Sequence, residues 1–281
     1  MKRLSIFCTL ILGLVSILVL PVDVQRSMHR FIVYCLLCFS MYFLYRTTLI
    51  LPLGQCLFFA TGSYCTVIFK TYGWLLGVIL ALLVALLIYF LLKRLESMYF
   101  SLGSLCFMLI GQELFRILHG ITGGTDGIFR AFQNGLSKGL FLSMLLACGL
   151  LWYYMREMKG RLYYEAYLIE SGREYAEAFG VSVERVRAKV FVGMSLVVTI
   201  TGISNALTQG YIVPSTVFNP SLTIIPLAVA LISRNLWEIF IYLLALLGLQ
   251  EILGYVGLGI QGMVLGGILM SLGYRLMTQE D

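Results

Sequence analysis

Few side chains in this sequence could do chemistry. The acids that could sit deep in apolar stretches come down to Glu113, one turn from Arg116, and Glu251. A carboxylate at mid-membrane would serve as a proton or ion site. Both acids fall near the ends of their apolar runs, which favours an ion pair or a snorkelling contact over proton coupling. Cys35 and Cys38 have the C-x-x-C spacing of a redox or metal pair, but no second pair and no neighbouring His accompany them. All seven cysteines (8, 35, 38, 56, 65, 106 and 148) lie in apolar runs and read as small buried hydrophobes. His29 and His119 stand far apart, at run ends, and form no metal signature. The chain has no G-x-x-x-x-G-K-[ST], H-E-x-x-H or G-x-S-x-G motif. It is therefore read as a non-enzyme without a cofactor. Uncharged polar groups remain. Gln55, Asn205 and Gln209 lie within or at the ends of apolar segments, as do Thr61, Ser63, Gln112, Ser204 and Thr208. They can bond between helices, or line a neutral, weakly polar translocation path.

The elements that must position them are membrane spans. Of 281 residues, 60% are hydrophobic and only 12% charged, with mean hydropathy +0.92. A bilayer crossing takes about 20 apolar residues. Apolar segments at about 4–20, 31–49, 50–69, 73–92, 98–118, 137–154, 187–209, 219–235, 236–251 and 255–275 predict an all-α polytopic membrane protein. It has about ten transmembrane helices in one permease-like domain over residues 1–281. The basic N-terminal segment looks like a signal peptide but lacks an A-x-A site, and is read as a retained first span. The net charge of +6 reflects loop Lys and Arg rather than nucleic-acid binding. With the N-terminus and the 156–189 loop inside, fourteen of the 20 basic residues face the cytoplasm. The positive-inside rule then puts both termini in the cytoplasm of a multi-pass protein of the cell membrane. Seven glycines between 254 and 273 suggest close packing of the last span.

One sizeable polar stretch breaks the apolar pattern, at about 156–189. It carries Arg156, Lys159, Arg161, Arg173, Arg185, Arg187 and Lys189, interleaved with Glu157, Glu165, Glu170, Glu174, Glu177 and Glu184. Tyr163 to Phe179 reads as one helix stopped by Gly180. VSVERVRAK starts a second helix, with Ser182 as candidate N-cap. Two helices joined at a glycine form either a compact docking knob or an amphipathic pair lying on the membrane surface.

Four stretches, in order, resemble the permeases of branched-chain amino acid ABC transporters. LPLGQCLFFATGSYCTVIF (51–69) is similar to their L-S-L-G-Q segment. MYFSLGSLCFMLIGQELFRILHGITGGTDGI (98–128) is similar to the stretch ending L-T-G-G-x-x-G-I. ESGREYAEAFGVSVERVRAKVFVGMS (170–195) resembles E-N-E-x-A-A-E-A-L-G-I, and GYIVPSTVF (210–218) resembles G-x-V-x-P-x-x-F. The likeness is strongest to the second of the two permeases in such systems.

The resemblance implies an importer built from two permease subunits, two ABC ATPase subunits and a periplasmic or lipoprotein substrate-binding protein. Its substrates would be branched-chain or related amino acids. Glu170, Arg173, Ala176, Ala178, Phe179 and Gly180 would form the segment that couples the permease to the ATPase. The chain departs from the family pattern at Leu162–Leu168, at 228–238, where Arg234 replaces a glycine turn, and at Glu96-Ser97-Met98. These departures mark a divergent member. The alternative is a secondary carrier or channel for a small polar solute that works without an ATPase. That reading would call for intramembrane charge, which is sparse here.

Overall fold

The computed structural model describes residues 21–256, apart from residues 70, 71, 131, 133, 158, 159 and 234. The helices in chain order are α1 (Val22–Thr48), α2 (Gln55–Ile68), α3 (Gly73–Leu92), α4 (Ser97–Ile117) and the short α5 (His119–Thr122). They continue with α6 (Gly135–Glu157), α7 (Arg161–Glu170), α8 (Arg173–Ala178), α9 (Val183–Gln209), α10 (Pro214–Val217), α11 (Ser221–Ile232) and α12 (Leu236–Val256). Two short strands, β1 (Ile128–Phe129) and β2 (Tyr211–Ile212), pair antiparallel, Ile128 opposite Ile212.

Six stretches among the described residues are long and apolar enough to cross a membrane. The expected count of ten spans is not confirmed by the described residues. The segments at 4–20 and 255–275, with the glycine-rich last span, lie outside the described residues. Within them, 50–69 yields only the 14-residue α2, about 21 Å long at 1.5 Å per residue against a hydrocarbon core of roughly 30 Å. Pro52 and Gly54 explain the shortfall, because they keep the preceding turn non-helical. Shielding makes such backbone tolerable at membrane depth. Gly54 sits against the Ser104 backbone, and α2 is buried along nearly its whole length.

The core forms where α9 packs on α2, α1, α3 and α6. Glycine makes the tightest crossing possible. A Cβ at Gly62 of α2 would overlap the Thr199 carbonyl of α9, and a Cβ at Gly202 of α9 would overlap the Phe59 carbonyl of α2. The close approach lets Ser63 donate its hydroxyl proton to the Gly202 carbonyl at 2.9 Å. In α3, side-chain size rather than polarity selects the buried face. Gly73, Gly77, Ala81 and Ala85, four apart, face inward, while Leu83, Leu87 and Phe90 face outward. Lipid solvates large aliphatic groups well, so helices in a bilayer gain from close backbone approach rather than from hiding leucine.

α1 starts nine residues before its apolar segment. Its first turns are largely exposed, with Gln25 and His29 turned inward. His29 is 2% exposed and hydrogen-bonds through Nε2 with Ser204 (2.9 Å) and Thr208 (3.1 Å) of α9. Ser204 in turn donates to the Gly139 carbonyl, 2.7 Å away, tying α6 into the same group.

The connections sort to two ends. β1 pairs with β2 at one end, where Arg130 donates to the Val67 and Ile68 carbonyls that finish α2. This suits a cation at a helix C-terminus. At the other end, Tyr89 donates to the Glu184 carbonyl at 2.6 Å, and Arg46 reaches the Ser233 carbonyl at 3.4 Å. α7 and α8 cap this second end. Glu113, the carboxylate whose role the sequence left open, forms an exposed ion pair with Arg116 at 2.8 Å.

Candidate functional site

The segment between Arg161 and Val183 folds as a knob, with different joints from those the sequence suggests. The single helix expected over Tyr163–Phe179 is two helices. The chain breaks at Ser171-Gly172, where Gly172 has φ 129. The helix that follows Ser182 is not a separate short one. It is the first two turns of α9, continuous with the span. Ser182 occupies the N-cap position, without a capping hydrogen bond from its side chain.

The stop at Gly180 does follow the sequence reading, and its geometry is specific. Gly180 has φ 78. Its N–H bonds to the Glu177 carbonyl, and the Val181 N–H to the Ala176 carbonyl, both at 3.0 Å. This is a Schellman closure with the left-handed residue at C′. The accompanying apolar contact joins Val181 to Ala176, both buried within the core that includes Leu168, Ile169 and Val183. Ala176 therefore serves inside the knob.

The other candidate coupling residues point away from the core. Glu170, Arg173, Ala178 and Gly180 are exposed, and Phe179 is 56% exposed. Tyr175 stacks at a tilt on Phe179, ring centroids 4.8 Å apart, so the tip is an aromatic surface rather than a solvated loop. Arg173 bonds Glu177 at 2.9 Å and reaches Glu184 on α9 at 3.6 Å. The bond to Glu177 pushes the already high Arg173 pKa further up. Exposed pairs of this kind contribute only about 0.3–0.5 kcal/mol, so the left-handed turn and the buried Ala176–Val181 contact hold the tip in shape.

Gly180→Val tests that ranking. Nothing crowds a Cβ at this position, so the cost is backbone strain alone, about 1–3 kcal/mol for a β-branched residue held left-handed. The Val variant is expected to become protease-sensitive between 171 and 182, while Gly180→Asn stays resistant because Asn tolerates this conformation. Equal resistance of Val and wild type would show that the turn does not hold the tip.

The candidate path residues are not equivalent. Gln55 is 4% exposed and donates through Nε2 to the Leu222 carbonyl at 2.8 Å. Beside it, the Cys56 thiol and the Thr223 hydroxyl share a hydrogen bond at 2.9 Å. Gln55 packs near Ser195, about halfway along α9, in a gap shared with Ser40 and Met194. The starts of α2 and α11 thus meet deep in the protein, held by side-chain bonds. Asn205 and Gln209 lie four apart on one face of α9, half-buried and exposed respectively, at the β1–β2 end. The three residues do not share one pocket. Sequence reasoning missed the small-residue stripe of α3 and the His29 group. The G-x-x-x-G-x-x-x-A-x-x-x-A spacing from Gly73 was the available signal for the first.

The helical membrane fold and its motifs meet a known family. The chain belongs to the branched-chain amino acid transport system permease component family, whose model matches residues 24–279. No curated protein matches the chain. Among solved structures, PsaBC from Streptococcus pneumoniae in complex with Fab is similar at 14% identity over 95% of this chain and 93% of that chain. The TM-score is 0.48.

Proposed function

We propose that this chain is the transmembrane permease subunit of an ATP-driven ABC importer, and that its cargo is a branched-chain or related amino acid. Family membership supports the transport class. The observation that carries the coupling role is the knob, a short helix closed by a Schellman turn with its anchor residues buried and Ala178 and Phe179 outward. The free energy of ATP hydrolysis must cross a protein boundary, and a small rigid projection can transmit displacement where a flexible loop cannot. On this reading the partners are two ABC ATPase subunits, a second homologous permease subunit, and a periplasmic or lipoprotein binding protein. The knob end is cytoplasmic, and the β1–β2 end faces outward. Reconstituted with these partners in vesicles, the chain should support uptake of leucine, isoleucine or valine that stops without ATP or without the binding protein. Uptake down a gradient by the chain alone would overturn the proposal in favour of a carrier or channel.

Asn205 and Gln209 are proposed to line the outward part of the path. Gln55 lies at its inner limit, where α2 and α11 meet. Neutral amides suit a zwitterion, since they can bond it without binding tightly. Single cysteines can test path and orientation together, in a background without the seven native cysteines. Positions 205 and 209 should react with an impermeant thiol reagent added outside, and position 178 only from inside. Position 55 should be protected in the resting state. Labelling of 178 from outside would refute the orientation, and complete protection of 205 and 209 in every state would refute the path.

A further inference from the structure

Beside the knob, a cleft of about 480 Å³ opens where α6 ends, α7 begins and α9 begins. Its charged lining is Arg156, Arg161, Arg185 and Lys189 with Glu157 and Glu165. Arg161 is taken up by Glu165, at 2.6 Å. That leaves three cations facing one carboxylate. Arg185 and Lys189 are four apart, so they lie on one face of α9, and both are exposed, as is Arg156.

The depth of this cleft is what identifies its occupant. Arg156 lies over the Trp152 ring, 5.7 Å from the centroid. Trp152 is 54% exposed, one turn from the end of α6. Indole rings on membrane proteins settle at headgroup level. Lys189 lies six residues into α9, about 9 Å along a spanning helix at 1.5 Å per residue. Lys189, which makes no ion pair among the described residues, sits where the helix passes from the knob into the span, and a long basic side chain there snorkels to the membrane surface. The lining is too basic for a zwitterionic headgroup and is placed too close to lipid for a soluble anion. Basic pockets between spans on the cytoplasmic side have the chemistry to hold anionic lipid.

We propose that this cleft binds the phosphodiester headgroup of an anionic phospholipid, held by Arg185, Lys189 and Arg156 beside the coupling knob. The headgroup would bridge α6, α7 and α9 and so brace the base of the knob. The inference rests on the geometry of this end of the subunit and is independent of the transported substrate.

The test is native mass spectrometry of the purified full-length chain. The protein is delipidated and titrated with phosphatidylglycerol or phosphatidylcholine. Wild type should retain phosphatidylglycerol in preference to phosphatidylcholine. Each cation removed should lower that preference roughly fivefold, as about 1 kcal/mol per basic residue implies. Arg185→Gln with Lys189→Gln should therefore nearly abolish it. The charge-conserving exchange Arg185→Lys with Lys189→Arg should restore it, which separates loss of charge from misfolding. Arg94→Gln, outside the cleft, should leave it unchanged. Undiminished preference in the double Gln variant would overturn the proposal. So would displacement of the lipid by inorganic phosphate at equal concentration, because it would reassign the cleft to a soluble anion.

Discussion

Ala178→Arg is expected to reduce ATP-dependent uptake at least tenfold while the subunit inserts and folds normally. Ala178 is exposed in the isolated subunit. A surface substitution of this kind changes folding stability by no more than about 0.5 kcal/mol. In the assembled importer the same position would lie in a groove of the ATPase. A buried charge without a partner costs about 3–5 kcal/mol there, which at about 1.4 kcal/mol per tenfold weakens docking by more than a hundredfold. The checks are co-purification of the ATPase with the variant, and uptake at equal surface abundance. Wild-type recovery of the ATPase together with wild-type uptake would remove the knob from the coupling interface, even if the importer assignment stood.

Gly62→Val should be the most damaging single change to the fold. The side chain would overlap the Thr199 backbone carbonyl, which cannot rotate aside, and Gly77 of α3 also packs close to Gly62. α2 and α9 would have to separate, stretching the Ser63–Gly202 hydrogen bond and loosening α3. Overpacking of a dense core costs about 1–3 kcal/mol when side chains can adjust, and here the obstruction is main chain. The melting temperature of the detergent-solubilised protein should fall by about 10 °C or more, at roughly 2–4 °C per kcal/mol. Gly202→Val should behave alike. Gly149→Ala, with nothing within 4 Å of the new Cβ, should be neutral or mildly stabilising. A Gly62→Val protein that melts with wild type would mean that α2 and α9 are not held at this distance.

The glycine turn that closes the candidate coupling segment was legible because its signals are local. A glycine following AEAF ends a helix for reasons carried in the backbone of those residues, and the φ of 78 at Gly180 agrees. The break at Gly172 was not legible. Glu165 to Glu177 looks like one amphipathic run, and only the anchoring of Leu168, Ile169 and Ala176 in the same core forces the chain to bend between them. Gln55 shows the same limit. Its polarity beside Pro52 and Gly54 marked it as unusual, but a lone amide in an apolar run fits a pore wall and a helix-to-helix bond equally well. The Leu222 carbonyl, 167 residues away, supplies its partner.

By itself the sequence determined the solvent and the broad class. Long apolar runs with few charges cannot fold in water, and they confine a chain to helices in lipid, because helices satisfy their own backbone bonds. The order of four motifs pointed to the permease family. Tertiary structure decided which helices are long enough to cross, which are cut short, and which face of each is inside. In water, polarity labels the faces of a helix. In a bilayer, leucine is at home on either face, so the label passes to shape. Gly62 against Thr199, and the small residues of α3 turned inward, became visible only once the partner helix was in place.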